Sequence, residues 1–155
     1  MRLVVVESPF AARNPDGSWD HETVEENLRY CRAAMNDCLL RNESPYASHS
    51  LYTQPGVLND QVPEERNLGM KAGFAWNKYA EASVVYIDRG ISSGMRAGIK
   101  NAVEHKRPIE IRSLSDWSNN FIDSYRLAVT ETIGNAYLEV SKDAIIDFAT
   151  YDDNE

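Results

Sequence analysis

Cysteine, histidine and long apolar runs are all scarce in this chain. Two cysteines and three histidines among 155 residues show none of the Cys/His spacings that hold a structural zinc, so no metal is expected. Cys31 and Cys38 lie seven apart in a helical pattern. Their Cα atoms would stand ~10 Å apart at ~1.5 Å rise per residue, too far for a disulfide. They read as two small core residues, in keeping with a reducing compartment. No apolar stretch approaches the ~20 residues that cross a bilayer. The opening run Met1-Arg2-Leu3-Val4-Val5-Val6 is too short for a signal peptide, and Glu7 ends it. A cytoplasmic protein without a membrane partner is the expectation. Basic residues are outnumbered too: 16 Lys and Arg against 24 Asp and Glu leave a net charge of −8. The densest basic stretch, Lys106-Arg107 with Arg112 nearby, is too short for the basic face that duplex DNA requires. The acids are scattered rather than blocked, which argues against a nucleic-acid mimic.

What is present is enough for one packed domain. Apolar residues make up 43% of the chain, sufficient for a core without cross-links. Residues 2–7 form a β-branched run, a buried strand. The turn signal Asn14-Pro15-Asp16-Gly17 follows. Asp20 is placed to cap a helix over 21–41, in which Val24, Leu28, Cys31, Met35 and Cys38 recur at helical spacing. A short strand is predicted at 45–50, an irregular stretch at 51–63 and a helix over 64–81. Ala82-Ser83-Val84-Val85-Tyr86-Ile87-Asp88 reads as a central parallel strand. Arg89-Gly90-Ile91 is a tight turn. Ser92 or Ser93 caps a helix reaching His105, and 108–112 is a last strand.

That alternation predicts an α/β fold: a single-domain, Rossmann-like open parallel sheet of four to five strands with helices on both faces. The expected core spans 1–114. Residues 115–155 are expected to be a mostly helical extension packed on the same domain.

In such sheets ligands bind at the carboxyl ends of the strands. Glu7-Ser8, Ser48-His49 and Asp88-Arg89-Gly90 all fall there. The segment Asp88-Arg89-Gly90-Ile91-Ser92-Ser93-Gly94-Met95 ends a strand and starts a helix. Free helix N–H groups there suit a phosphate or carboxylate, though an ordinary capped turn would look the same. Ser48-His49-Ser50-Leu51-Tyr52 is dense in donors and acceptors, with a ring able to stack on a base. It would equally serve as a polar loop. Glu7 and Asp88 end different strands and are candidates for acid or nucleophile; capping of nearby helices explains them as well.

The order of these segments resembles the nucleoside 2-deoxyribosyltransferase-like superfamily, which includes deoxynucleoside-monophosphate N-glycosidases. Within it the chain looks most like an uncharacterised group frequent in bacteriophages. The matching residues are Glu7-Ser8-Pro9-Phe10; Asn27 with Tyr30-Cys31-Arg32; Ser48-His49-Ser50-Leu51-Tyr52-Thr53-Gln54-Pro55-Gly56; Pro63-Glu64-Glu65-Arg66 with Gly69; the Asp88 to Met95 segment; and Lys106-Arg107-Pro108-Ile109. The resemblance covers residues 2–114.

It implies a nucleoside or nucleotide ligand, no cofactor and a homo-oligomer. A phage-encoded member would act in the bacterial host cytoplasm. The ligand-binding residues would be Ser8, Pro9, Phe10, Ser48, His49, Tyr52, Gly90, Ser92, Ser93, Gly94 and Met95, with Glu7 and Asp88 as catalytic candidates. In the catalytic members a glutamate on the helix after the Gly-Ile-Ser-like turn attacks C1′ of the sugar. Its position here is Gly98. Three readings follow: an N-glycosidic hydrolase or transferase with a substitute carboxylate, a non-catalytic protein that sequesters or senses a nucleotide, or a structural or interaction protein that kept only the fold.

Overall fold

A computed structural model describes residues 1–114 and Trp117. The elements run β1 (Arg2–Glu7), α1 (His21–Leu40), β2 (Glu43–Tyr46), α2 (Ser48–Tyr52), α3 (Pro63–Asn77), β3 (Ala82–Tyr86), α4 (Ser93–Glu104) and β4 (Ile109–Arg112). All four strands are parallel, in the order β2-β1-β3-β4. The α/β parallel sheet predicted from the alternation is thus present, with four strands. The expected extension over 115–155 lies outside the described residues, apart from Trp117.

Burial on both faces explains the β-branched runs. Val4, Val5 and Val6 of β1 and every residue of β3 are buried. On one face Val4, Val6, Val84 and Tyr86 pack against Tyr30, Cys31, Ala34 and Cys38 of α1. On the other, Val85, Ile109 and Ile111 pack against Met95, Ile99, Ala102 and Val103 of α4. Asp20 accepts the Thr23 N–H and starts α1. Ser92 accepts the Met95 N–H and starts α4.

Several boundaries differ from the sequence reading. The helix over 64–81 ends at Asn77 and the strand over 82–88 at Tyr86. The second strand begins at Glu43, ahead of the predicted 45, and ends at Tyr46; Ser48–Tyr52 is helical, where the sequence predicts 48–50 extended and 51–52 irregular. Glu43 is polar yet buried, because Arg112 holds its carboxylate through two hydrogen bonds of 2.7 and 2.8 Å. A strand whose first residue is an internal carboxylate carries no apolar signature. Arg112 also binds Glu110 at 2.6 Å, and Arg2 reaches both glutamates, Glu110 at 2.5 Å. This network ties β1, β2 and β4 together on the α1 side of the sheet.

The chain winds from β1 outward to β2, then returns past β1 to β3 and β4. That reversal opens a crevice at the carboxyl ends of β1 and β3, where open α/β sheets bind ligands.

Candidate functional site

The crevice holds a cavity of about 120 Å³. That is on the order of ten water positions, the scale of a sugar ring with its hydroxyls. Three walls enclose it. The first is the end of β1 with Glu7, Ser8 and Phe10. The second is the start of α4, with Ser92, Ser93, Gly94, Met95 and Gly98. The third is α2 and α3, with Ser48, His49, Tyr52, Met70, Phe74 and Asn77. The first wall is pinned from behind. Asn27 of α1 donates to the Phe10 carbonyl at 2.9 Å, and Arg89 donates to the Asn27 oxygen at 2.8 Å.

Ten sequence-predicted residues therefore line one cavity: Glu7, Ser8, Phe10, Ser48, His49, Tyr52, Ser92, Ser93, Gly94 and Met95. Pro9, Gly90 and Asp88 do not. Gly90 takes φ +80° and closes the turn after β3, donating to the Ile87 carbonyl, a conformation that favours glycine.

Asp88 turns to the α1 side. It accepts the Tyr30 hydroxyl at 2.5 Å and the Leu114 N–H at 2.9 Å. The expectation that it faces the ligand edge with Glu7 fails on strand parity. Successive side chains point to opposite faces. Tyr86 and Asp88 share the α1 face, whereas Val5 and Glu7 share the α4 face.

Glu7 is the unusual group. Its carboxyl makes no hydrogen bond among the described residues, and its remaining exposure is to the cavity. Burial raises its pKa from the usual carboxylate range to about 8, with Arg107 opposing the rise. The carboxyl stands directly on Gly98. A Cβ built at Gly98 would lie 2.1 Å from Oε1, 2.3 Å from Cδ and 2.4 Å from Oε2. Only glycine there leaves room for it.

Beside it, the Ser8 hydroxyl and His49 Nε2 share a hydrogen bond of 2.9 Å. Burial lowers the His49 pKa to about 4, so this imidazole is neutral at physiological pH.

The sequence reading includes Pro63 to Arg66 and Gly69 in the resemblance but places no α3 residue at the site, where the cavity is lined by Glu65, Arg66, Gly69, Met70 and Phe74. Arg66 pairs with Asp60, and its Nη2 lies 3.6 Å from where a Gly94 Cβ would sit, at the start of α4. Gly73 lets α2 approach closely: a Cβ there would meet Ser48 Oγ at 2.8 Å. The four-residue spacing of Gly69 and Gly73 was the readable sign that another element lies close against this helix.

Among the described residues no group of three or more His, Cys, Asp or Glu could hold a metal, and no helix is long and apolar enough to cross a membrane.

These shifts have a pH consequence for stability. Glu7 titrates near 8 folded and near 4.5 unfolded, so the folded state keeps a proton that the unfolded chain releases. Its contribution to stability therefore falls as pH rises from about 4.5 to 8. His49 titrates near 4 folded and near 6.5 unfolded, so its contribution falls as pH drops through that window. Between pH 6.5 and 8 only the Glu7 effect of the two acts. Wild-type Tm should decline across this interval and Glu7→Gln should flatten the decline. Calorimetry at pH 6.5 and 8 measures it, and parallel curves for the two proteins would rule the shift out.

No curated protein matches this chain. Among solved structures, one similar chain is a 2-deoxyribosyltransferase from the psychrotolerant bacterium Bacillus psychrosaccharolyticus. The likeness has a TM-score of 0.51 at 12% identity and covers 96% of this chain and 86% of that one. At that identity it speaks for a shared fold. A family model described as a domain of unknown function matches residues 2–112, and the chain belongs to that family, DUF7768.

Proposed function

We propose that this protein binds a nucleoside or nucleotide in the crevice and cleaves its N-glycosidic bond, with Glu7 as the reacting carboxyl. The observation that carries the reading is Glu7 itself: a desolvated carboxyl without a hydrogen-bond partner among the described residues, facing a sugar-sized cavity. Buried polar groups are normally satisfied, and a carboxyl held near neutrality in a cleft is suited to acid, base or nucleophilic work. Phe10, Tyr52 and Phe74 supply ring faces for a base.

In its anionic form Glu7 would attack C1′ as the C1′–N bond breaks. The bond's electron pair leaves with the base, which takes a proton from solvent. Water or a second base then releases the sugar from the glutamyl ester. A 5′-phosphate would lie on the N–H groups of Ser92 to Gly94, with Arg66 close by.

The second reading is binding without turnover, as in a phage-type sequestering or regulatory protein. Gly98 favours it, because the resemblance implies a nucleophile at that position. Assembly into a homo-oligomer belongs to both readings and is supported by the exposed Leu68, Trp76 and Tyr79 on and just after α3.

Base release from deoxynucleosides and their 5′-monophosphates, followed by chromatography, separates the two. Turnover by the wild type and its loss in Glu7→Gln is the expected result. A thermal shift with ligand but no base release would establish the second reading; at 100 times Kd the ligand adds roughly 2.7 kcal/mol. In the same assay Ser93→Asp should weaken monophosphate binding by about tenfold and leave the nucleoside nearly unaffected. Equal losses for both ligands would remove the phosphate from this helix terminus.

A further inference from the structure

We infer that Arg107 is the buried counter-charge of Glu7: a positioning residue that fixes one positive charge beneath the carboxyl and brings its anionic form within reach at neutral pH. The inference rests on the reading of Glu7 as the reacting group.

Arg107 lies two residues before β4 and its side chain is buried. Its guanidinium is held by three neutral acceptors. Nε donates to Ser83 Oγ at 2.9 Å, one Nη to the Asn77 carbonyl at 3.0 Å and the other to Asn101 Oδ1 at 3.0 Å. Among the described residues no carboxylate forms an ion pair with it. A buried cation without a carboxylate in contact is costly. The three hydrogen bonds join the end of α3 to β3 and α4, but neutral donors could satisfy the same acceptors, so they give no reason for a full positive charge.

Its position supplies one. In the sheet Ser83 lies opposite Val5, and Val85 lies opposite Glu7. The Arg107 anchor on β3 is thus two residues below the level of Glu7, roughly 7 Å along the strands and on the same face. Asn101, the second anchor, comes three residues after Gly98 on α4, on the same side of the helix. Asn77, the third, is part of the cavity wall. The guanidinium sits under the floor on which the Glu7 carboxyl rests.

The other charged or titratable groups around the cavity are already committed. Arg66 pairs with Asp60, Glu65 accepts the Asn59 N–H at 2.7 Å, and His49 is neutral. Burial pushes the Glu7 titration upward and Arg107 pulls against it. Burial likewise lowers the pKa of Arg107, and Glu7 opposes that. The two groups stabilise each other's charged forms across the cavity floor.

The test is a 13C NMR titration of glutamate-labelled, full-length protein, with Glu7 assigned by its disappearance in Glu7→Gln. In Arg107→Met the Glu7 midpoint should move upward by about one pH unit or more, whereas Arg107→Lys should hold it near the wild-type value. Base release at pH 7 should fall by about tenfold in Arg107→Met with KM unchanged, and recover at alkaline pH. An unmoved midpoint in folded Arg107→Met overturns the inference. So does a Lys variant that shifts as far as Met, since shape rather than charge would then be at work. Should Arg107→Met not fold, Arg107→Gln keeps a hydrogen-bond donor without the charge, and an unmoved midpoint in it overturns the inference equally. A shifted midpoint without base release from any substrate would leave Arg107 in its role and remove the glycosidic reading. Base release with an unshifted midpoint would do the reverse.

Discussion

Gly98→Ala should eliminate base release while leaving the protein folded. The added methyl carbon would lie 2.1–2.4 Å from three atoms of the Glu7 carboxyl, far inside van der Waals contact. The atoms that must yield are the far end of a flexible side chain, so Glu7 swings away and α4 keeps its place. The carboxyl then loses its position over the cavity. Turnover should drop by about 10²- to 10⁴-fold, as in Glu7→Gln, with little change in Tm. Full activity in Gly98→Ala would mean that Glu7 is not the reacting group.

The same geometry changes how a carboxylate can be restored to α4. Gly98→Glu alone places two acidic side chains in one space, and it should be inactive. Combined with Glu7→Ala, the space is free and the carboxylate arrives from α4. Activity in the double variant but not in the single one would show that the cavity accepts a carboxylate from either backbone origin.

The largest loss of stability is expected at Arg112. Its guanidinium is buried and binds Glu43 twice and Glu110 once. Arg112→Met leaves two carboxylates on the inner face of the sheet, with the half-exposed Arg2 as their remaining cation. Breaking a buried pair from one side costs about 3–5 kcal/mol, read as a lower midpoint in urea unfolding. Replacing all three of Arg112, Glu43 and Glu110 with apolar residues of similar volume should recover much of that loss, because buried ion networks are often no more stable than a packed core. A loss below about 1 kcal/mol in Arg112→Met would show that the network is solvated enough to matter little.

Acid should act in the same direction. Burial raises the Glu110 pKa, but hydrogen bonds from Arg112 and Arg2 outweigh it and the net shift is downward. Its stabilising contribution is present above the usual carboxylate range and is lost as pH falls through the folded value.

Much of this protein was legible in the order of its residues. The β-branched runs at Val4–Val6 and Val84–Val85 encode strands buried on both faces, since only apolar side chains avoid the cost of desolvation there. Asp20 and Ser92 mark helix starts because a side-chain oxygen satisfies an otherwise free N–H. From these the parallel sheet followed, and from the sheet the edge at which Glu7, Ser8, His49 and Ser92 meet.

Strand parity alternates faces along each strand, but runs buried on both sides do not mark which face is which, and the register that separates Glu7 from Asp88 is set only in the sheet. The second strand could not be anticipated either, because Glu43 is interior only through an arginine 69 residues away. Charge pairing of that kind has no local pattern.

The site depended on tertiary structure most of all. The resemblance marked Gly98 as the position of a missing nucleophile. In the folded chain it is the space that a carboxyl from β1 occupies, 91 residues earlier in the chain. Arg107 read alone as part of a short basic stretch, and in the fold it is a buried charge beneath that carboxyl. Steric exclusion and electrostatic proximity arise between atoms that only the packed sheet and helices bring together, and no spacing along the chain records them.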